Sequence, residues 1–369
     1  MTVHRFPAVE AVVATAYAVP TERPEADGTL SWDATTLVLV EIRAGEQVGL
    51  GWTYGAPACA DVVRLTLAPL VVGRDPTDTG GAWIAMVDAV RNIGRGGIAG
   101  MALSAVDCAM WDLKARLLGL PLHMLLGAAS EPVEVYGSGG FTNWDSEALT
   151  RQVDRWLAQG MTRVKIKIGQ DHGRREFRDL ERVAQVRSLV GPGVELFVDA
   201  NGAYTTAQAV RIAAAMEAHD VRWFEEPVSS DDPAGLRAVR ELSRAEVAAG
   251  EYGHDLAYLA RLCHAGSVGC LQIDITRCGG LTEFLRAAAV AAAHGLQVSA
   301  HCAPNLHTPV LAAIPNARHV EWFHDHERIE NLAFDGALTP SGGTVRPHSD
   351  RAGHGLHFRP AAVEPFRLP

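Results

Sequence analysis

Three acidic residues stand at or near the ends of short apolar runs, at equal intervals along the chain. Asp199 ends LFVD, Glu225 ends WFE and Glu251 ends VAAGE, and 26 residues separate each acid from the next. One strand, one helix and their connections fill such an interval, so the carboxylates are expected at one edge of a parallel sheet. A single acid there would more often cap a helix or pair with a lysine. Three together repel one another unless a cation neutralises them, and their all-oxygen set favours Mg²⁺.

Basic groups occur at neighbouring strand ends. Lys165 and Lys167 share one face of RVKIKIG, because alternate side chains of a strand point to the same side. His301 lies near the end of QVSAHC, and Asp274 lies in CLQIDI on the strand expected beside it. A carboxylate beside a histidine fixes its tautomer and raises its basicity. Lysines close to each other and to a cation should have lowered pKa values, which makes a neutral amine available as a base.

These groups need a scaffold that brings strand ends together. From about residue 133 onward, short apolar runs alternate with longer amphipathic stretches of helical spacing. Eight strands with helices between them favour a (β/α) barrel over an open sheet, with the active site at the carboxyl ends of the strands. The predicted strands span 133–140, 163–169, 194–202, 222–227, 247–251, 270–275, 297–302 and 319–323.

The rest of the chain flanks this barrel. Residues 1–128 combine strand-like TTLVLVEIRA with two helical stretches and predict an α+β capping domain. The barrel should span 129–333, and the Gly-, Pro- and His-rich segment 334–369 should return to the cap. GRGGIA at 94–99 fits a dinucleotide-binding pattern by its letters, but the preceding stretch has helical spacing. We therefore predict a loop before a helix at this point.

The overall composition argues against several classes of partner. The net charge of −10 over 369 residues argues against nucleic acid and against an anionic membrane surface. Six scattered cysteines without a CxxC pair predict a reduced, cytoplasmic protein. No basic segment precedes an uninterrupted apolar stretch at the N-terminus, and the alanine-rich run at 287–293 is too short to span a bilayer. An anionic small molecule stays open as a substrate, because the local charge of a pocket decides its binding.

The ordered motifs resemble the enolase superfamily, specifically its mandelate racemase branch, over nearly the whole chain. Relatives of the muconate-lactonizing type place a lysine at the end of strand six, whereas this chain has QIDITRCGG without one. That difference excludes the lactonizing and dipeptide-epimerase pattern. The matching pieces are Lys165-Ile-Lys167, Asp199-Ala-Asn201, Glu225-Glu226-Pro227, Gly250-Glu251, Asp274 with the following Thr-Arg-Cys-Gly-Gly, His301, Glu321, and 102–127 as the junction between cap and barrel.

The resemblance implies a modified (β/α)7β TIM-type barrel under an α+β capping domain. In the superfamily's known chemistry, a Lys or His base acts beside Mg²⁺ on a carboxylate substrate. Lys167 would be the base on one face of the α-carbon, and Lys165 would hold the carboxylate and depress the pKa of Lys167. The pair His301–Asp274 would act on the opposite face. The implied metal ligands are Asp199, Glu225 and Glu251.

Further residues follow from the resemblance as substrate contacts. Glu321 would hydrogen-bond the substrate carboxylate, most usefully in its protonated form. Asn201 belongs to the same group of substrate-binding candidates. Loops near 19–33 and around Trp52 and Tyr54 are candidates for closing over the substrate, and plain surface connections are their alternative.

A second group of polar residues lies outside the shared pattern. HDHERIE follows strand eight, with His324 and His326 on either side of Asp325. A polar loop near substrate hydroxyls, or plain surface, is favoured there over a second metal. Cys302, beside His301, and Asn305 have no assignable role from the sequence.

Three functions are compatible with these residues. The leading one is dehydration of a sugar acid or hydroxy acid, in which a base removes the α-proton and His301 protonates the departing β-hydroxyl to give a 2-keto-3-deoxy acid. A racemase or epimerase would use Lys167 and His301 to exchange the proton from opposite faces. A non-catalytic binding scaffold is disfavoured, because every expected position is occupied. The substrate's identity and stereochemistry stay open, and the resemblance implies a homo-oligomer without fixing its subunit number.

Overall fold

The computed structural model describes residues 6–129 and 131–369, and its first part is an antiparallel sheet with helices on one face. Strands β1 (Ala11–Ala26), β2 (Ser31–Ala44) and β3 (Gln47–Tyr54) pair in that order. Alternate residues of β2 face opposite sides, as strand geometry requires. Val38 and Val40 pack against the helices, whereas Leu37 and Leu39 join the core that includes the barrel. The helices are α1 (Ala58–Val62), α2 (Ala68–Val71), α3 (Thr79–Ala89), α4 (Ile98–Leu118) and α5 (Leu122–Leu126), with a π-helical turn at Val63–Leu67.

Two glycines let α4 lie directly on β3. A Cβ atom on Gly49 would be 2.2 Å from the carbonyl oxygen of Ala109, and one on Gly51 would be 2.2 Å from that of Ala105. Any side chain at either glycine would push the helix off the sheet. Helix α4 begins at Ile98 after a loop, and helix α3 precedes that loop. The predicted loop before a helix is confirmed there. A helix precedes this loop, whereas a dinucleotide-binding site needs a strand at that place.

In the described part of the chain, eight parallel strands close into a barrel, because the last strand also pairs with the first. The rings of Tyr136, Phe197 and Trp223 fill the barrel interior, while Val164 and Ile166 on the other face of their strand join the outer core. The predicted TIM-type barrel with an α+β cap is confirmed. The strands are β4 (Val133–Gly139), β5 (Arg163–Lys167), β6 (Glu195–Asp199), β7 (Val221–Glu225), β8 (Glu246–Ala249), β9 (Cys270–Ile273), β10 (Gln297–Ala300) and β11 (Ala317–Phe323).

Helices alternate with these strands and continue after the last one. The short helix α7 and the longer α8 share one connection, and a 3-10 turn at Glu217–His219 extends α9. Among the described residues, no helix is both long and apolar enough to cross a membrane. The helices are α6 (Ser146–Ala158), α7 (Gln170–Gly173), α8 (Glu176–Val190), α9 (Thr206–Met216), α10 (Pro233–Leu242), α11 (Leu256–His264), α12 (Gly280–Ala293), α13 (Pro304–Leu311) and α14 (His324–Ala333).

The final segment touches both earlier parts of the chain. Its elements are β12 (Phe334–Asp335), β13 (Thr344–Val345), β14 (His357–Phe358), α15 (Pro360–Val363) and a 3-10 turn at Glu364–Phe366. Strand β13 pairs with β4 of the barrel, and the backbone N–H of Leu368 donates to the Ala16 carbonyl of the cap at 2.9 Å. We propose that the domain boundaries lie at residues 128 and 333. Residues 1–5 and 130, which the predicted domains include, lie outside the described residues.

The region near 19–33, expected as loops, is instead a long β-hairpin formed by β1 and β2. Its tip reaches the barrel: the backbone N–H of Thr142 donates to the Ala26 carbonyl, and that of His172 to the Gly28 carbonyl, each at 2.8 Å. The strands continue through this region because their residues pair from Ala11 with Arg43 to Ala26 with Ser31, with one irregularity between Pro20 and Glu25. The hairpin tip is therefore anchored on the barrel in this structure.

Candidate active site

Strand register brings the acids together. Lys167, Asp199 and Glu225 are direct neighbours on β5, β6 and β7, and Glu251 follows the end of β8. Asp199, Glu225 and Glu251 are buried and can each offer one oxygen within 4.8 Å of the others. Glu251 Oε2 is buried without a hydrogen-bond partner, so it is available as a ligand. Oxygen-only donors at this spacing fit Mg²⁺, which these three carboxylates would hold.

Both lysines point into this acidic cluster. Lys165 is fully buried, with Nζ 2.6 Å from Glu225 Oε1 and 2.7 Å from Glu321 Oε1, and Lys167 Nζ forms an ion pair with Asp199 Oδ2. Burial lowers the pKa of each lysine, but the neighbouring carboxylates outweigh it and raise both pKa values well above the usual range. The expected lowering is therefore wrong for the arrangement seen here. A cation on the same carboxylates would oppose the rise, because it takes up the negative charge that favours the ammonium forms.

The histidine lies next to the carboxylate that should orient it. His301 Nδ1 is 2.8 Å from Asp274 Oδ2, and His301 Nε2 is 3.2 Å from Glu251 Oε2. Burial lowers the pKa of His301, but Glu251 and Asp274 outweigh it, so the pKa is raised. The expected gain in basicity is confirmed. Arg277 holds Asp274 in turn, with Nε 3.3 Å from Oδ2.

The surroundings of Glu321 favour its ionised form, contrary to the protonated form expected to be most useful. Burial raises its pKa, but Lys165 and His301 outweigh burial and hold the pKa well below its usual range. Its carboxylate accepts hydrogen bonds from Ser138 Oγ at 2.5 Å and from the backbone N–H of Cys302 at 3.1 Å. Glu321 and Lys165 therefore form an ion pair at the base of the site.

A cavity of about 430 Å³ lies between the cap and the mouth of the barrel, and Lys167, Glu251 and His301 line it. Asn201, which has a left-handed backbone conformation with φ +46°, lines the cavity from the barrel. Tyr54 lines it from the cap. Trp52 does not line it: its side chain is fully buried and its indole N–H donates to Glu330 Oε1 at 3.1 Å. Residues that line the cavity are Asp27, Leu30, Trp32, Ala34, Thr35, Thr36, Tyr54, Gly55, Ala56, Lys167, Asn201, Glu251, Tyr252, Arg277, His301, Cys302, Phe323 and His326.

His326 is the clearest residue that the sequence left without a role. Its ring stacks on Tyr54 with centroids 3.4 Å apart and planes 13° apart, and the backbone N–H of Ala303 donates to its Nδ1 at 3.2 Å. It begins α14 together with Asp325, which accepts from Thr35 Oγ1, and His324, which lies 3.4 Å from Glu22. Within the described residues these three side chains do not form a metal site. The spacing of the two histidines around Asp325 marks a polar cluster in the sequence. The ring on which His326 stacks comes from β3, and the sequence does not show that contact.

Family models match both halves of the chain. One described as mandelate racemase / muconate lactonizing enzyme, N-terminal domain, matches residues 10–127. One described as enolase C-terminal domain-like matches residues 148–362.

Curated relatives include enzymes of sugar acids. The 3,6-anhydro-alpha-L-galactonate cycloisomerase of Streptomyces coelicolor is 34% identical over 87% of this chain and 88% of its own. The L-talarate/galactarate dehydratase of Salmonella typhimurium is 30% identical over 80% of this chain and 76% of its own.

Solved structures agree in fold. A mandelate racemase/muconate lactonizing enzyme-like protein from Rubrobacter xylanophilus has a TM-score of 0.94 and 45% identity, over 98% of this chain and 100% of that one. A racemase from Streptomyces coelicolor A3(2) with bound magnesium has a TM-score of 0.92 and 30% identity over the same shares of the two chains.

Proposed function

The chain belongs to the mandelate racemase/muconate lactonizing enzyme family of the enolase superfamily, and on that premise we propose that it is a Mg²⁺-dependent acid-sugar dehydratase. One observation carries the proposal: Lys167 and His301 face one cavity beside the three-carboxylate site. Lys167 ends β5, and His301 follows the end of β10. Strands β4 and β11 lie between β5 and β10 in the barrel, so the two side chains can reach a bound substrate from different sides.

Each residue then has a task in the reaction. Lys165 donates to the substrate carboxylate and orients it at the base of the site, and Glu321 holds the Lys165 ammonium in place, with Oε1 2.7 Å from Nζ. Asp199, Glu225 and Glu251 would hold Mg²⁺, which would supply positive charge to stabilise the negative charge that develops on that carboxylate.

Two proton transfers follow from the positions of the acid and the base. Lys167, as the amine, takes the α-proton. His301, whose pKa is raised, gives the Nε2 proton to the β-oxygen as its bond to carbon breaks. The resulting enol tautomerises to a 2-keto-3-deoxy acid.

A second candidate is ring-opening cycloisomerisation. A relative that is 34% identical over 87% of this chain carries the name cycloisomerase. If the β-oxygen belongs to a ring of the substrate, the same two proton transfers open that ring without releasing water. Racemisation needs the same pair of groups but no leaving oxygen, and it is the third candidate.

The test is a substrate panel in D₂O with Mg²⁺. Aldonates, aldarates, their lactones and anhydro derivatives are incubated with the protein and followed by NMR. Formation of a keto acid from an open-chain substrate supports dehydration, and its formation only from ring substrates supports cycloisomerisation. Deuterium at the α-carbon without loss of the β-oxygen supports racemisation. The enzymatic proposal fails if nothing in the panel exchanges or reacts.

Lys167→Ala provides the matched test of the base. It should abolish proton abstraction while calorimetry still shows Mg²⁺ binding. Lys114→Ala is the control, because Lys114 lies on α4, with its ammonium 4.7 Å from the Trp111 ring centroid. Loss of folding in Lys167→Ala alone would show that Lys167 is structural instead.

We infer that the protein works as a homo-oligomer in a reducing, cytoplasmic setting. All six cysteines are free and buried, which suits reducing conditions. Membership of the family supports the homo-oligomer, since its members are commonly oligomeric. Light scattering of the purified protein would show a single oligomer, and a monomer at all concentrations would contradict the inference.

A further inference from the structure

Beside the three-carboxylate site lies a second cluster of donor atoms with a different chemistry. His301 Nε2 and Cys302 Sγ are 3.3 Å apart, Cys302 Sγ and Glu321 Oε2 are 3.5 Å apart, and His301 Nε2 and Glu321 Oε2 are 3.8 Å apart. All three residues are buried, and His301 and Cys302 line the cavity. The proposed reaction gives Cys302 no task.

The separations can be compared with a known coordination geometry. Zinc binds sulfur at about 2.3 Å, histidine nitrogen at about 2.0–2.1 Å and carboxylate oxygen at about 2.0–2.2 Å, in tetrahedral sites. At tetrahedral angles these bond lengths place the donor atoms about 3.3–3.6 Å apart. The observed edges of 3.3, 3.5 and 3.8 Å need little adjustment to enclose such an ion. A thiolate and an imidazole select a thiophilic cation over Mg²⁺.

The backbone holds this arrangement in place. Successive side chains of a strand normally point to opposite faces, which would separate His301 from Cys302. Cys302 and Ala303, just after β10, have φ of +53° and +36°, and this left-handed turn keeps Cys302 Sγ beside His301 Nε2. Left-handed conformations of non-glycine residues persist only where their surroundings enforce them. Here the backbone N–H of Cys302 donates to Glu321 Oε2 at 3.1 Å.

The surroundings also resemble the outer shell of a metal site. Asp274 Oδ2 contacts His301 Nδ1 at 2.8 Å, so Nε2 is the nitrogen directed to the cluster. A carboxylate behind a histidine is the usual support of a metal-bound imidazole. Glu251 Oε2 lies 3.2 Å from His301 Nε2, on the side of the three-carboxylate site.

We propose that His301 Nε2, Cys302 Sγ and Glu321 Oε2 form a second cation site that binds Zn²⁺ or a similar thiophilic ion and thereby inhibits the enzyme. As the ion binds, the S–H bond of Cys302 and the Nε2–H bond of protonated His301 break, metal–sulfur and metal–nitrogen bonds form, and both protons pass to solvent. The ion occupies the Nε2 lone pair and removes His301 from proton transfer. The inhibition rests on the proposed function, whereas the binding does not.

Binding is tested with Co²⁺ on the full-length protein in excess Mg²⁺. A cobalt–thiolate bond gives a strong near-ultraviolet charge-transfer band, which carboxylate ligation does not. We expect the band in the unmodified protein, its loss on addition of Zn²⁺, and its absence in both Cys302→Ser and Cys302→Ala. Cys263→Ser, a buried cysteine on α11, is the control and should keep the band. No band in the unmodified protein, or a band that survives in a Cys302 variant that melts normally, overturns the proposal.

Inhibition is tested with a substrate found in the panel. Zn²⁺ in excess Mg²⁺ should inhibit the unmodified enzyme at a concentration at least about ten-fold lower than it inhibits Cys302→Ser. Equal inhibition of the two overturns the regulatory part of the proposal. A cobalt–thiolate band in a protein that turns over nothing would leave the metal site standing and refute the proposed function alone.

Discussion

At the residue scale, Asp274 is the residue that controls the histidine acid. It contacts His301 Nδ1 at 2.8 Å and is held by Thr276 and Arg277. Asp274→Asn keeps the shape but removes the carboxylate that stabilises the imidazolium, so the ring stays neutral and its Nε2–H becomes a much weaker acid. We expect kcat for elimination to fall by about 10²-fold or more, with Mg²⁺ binding unchanged by calorimetry. A fall of less than three-fold, about 0.7 kcal/mol, would show that Asp274 does not act through His301.

His326 should select substrates through a single hydrogen bond. Ala303 N–H occupies its Nδ1, and burial together with His301 holds the pKa of His326 well below its usual range, so the neutral ring carries its proton on Nε2. The ring lines the cavity, where a substrate hydroxyl can accept a hydrogen bond from this Nε2–H.

The two amide replacements distinguish the nitrogens. His326→Gln places an N–H near the Nε2 position and should keep KM within about two-fold, whereas His326→Asn does not reach it and should raise KM about ten-fold, the value of one hydrogen bond. Steady-state kinetics on the substrate from the panel measures both. Equal KM changes in the two variants would mean that His326 only packs against Tyr54.

The residue scale also shows what spacing can and cannot predict. Asp199, Glu225 and Glu251 could be assigned because a parallel barrel aligns every strand end, so sequence position along a strand fixes depth in the site. The pKa of Lys165 could not be predicted from the sequence, because it depends on carboxylates of β7 and β11 that lie within 2.7 Å of its ammonium group. Trp52 lies in the junction instead of the cavity for a related reason: alternation indicates which face of β3 it shares, but not that Glu330 covers that face.

At the element scale, the hairpin of β1 and β2 covers the site through its tip. A Cβ atom on Gly28 would lie 2.8 Å from the Ala200 carbonyl oxygen and 2.9 Å from that of Gly169. Gly28→Ala should therefore lift the tip from the barrel and lower the free energy of unfolding by about 1–3 kcal/mol. It should also raise KM, because the lifted tip no longer covers the cavity.

A matched control exists on the cap. A Cβ atom on Gly80, in α3, would meet no atom within 4 Å, so Gly80→Ala should stabilise that helix by up to about 1 kcal/mol without affecting KM. Urea denaturation and proteolysis at the hairpin tip report the two effects. Unchanged proteolysis in Gly28→Ala would show that the tip accommodates the methyl group.

The hairpin also marks the limit of local patterns. Its residues carry strand character only up to the prolines at 20 and 24, so the sequence predicted loops there. The structure continues both strands past that point, and Asn143 and Thr142 of the barrel then bind the carbonyls of Pro24 and Asp27. Tertiary contacts thus decide the end of the hairpin, whereas the barrel strands, buried on both faces, were found from their apolar runs.

At the scale of the whole molecule, Glu330 joins the cap to the barrel. From α14 it accepts hydrogen bonds from Trp52 and Tyr54 of the cap at 3.1 Å each, and from Asn305 Nδ2 of the barrel at 2.6 Å. Burial raises the pKa of Glu330 to about 7 despite these donors. The same contacts orient the Tyr54 ring that stacks on His326, so the junction and the cavity share one support.

This raised pKa makes the junction sensitive to pH in a direction that can be worked out. An unfolded glutamate has a pKa of about 4.3, so between about pH 4.3 and 7 the folded protein holds a proton that the unfolded chain lacks. Stability from Glu330 is therefore full below about pH 4.3 and falls as the pH rises to about 7, by at most about 1.4 kcal/mol per unit. The Glu330→Gln variant should lack this pH dependence of the free energy of unfolding. It should also be less stable than the unmodified protein at low pH, because its amide NH₂ group would face hydrogen-bond donors from the cap and the barrel.

The measurement is the difference between the two proteins' free energies of unfolding from pH 4.5 to 8. The difference isolates Glu330, because the other buried acids with raised pKa values, Asp107 and Glu25, are present in both proteins. We expect Glu330→Gln to approach the unmodified protein as the pH rises, and a constant difference across the range would show that Glu330 stays ionised in the junction. Because Glu330 orients Tyr54, the same variant should raise KM even at the pH where its stability matches, which ties the cap's attachment to the shape of the cavity.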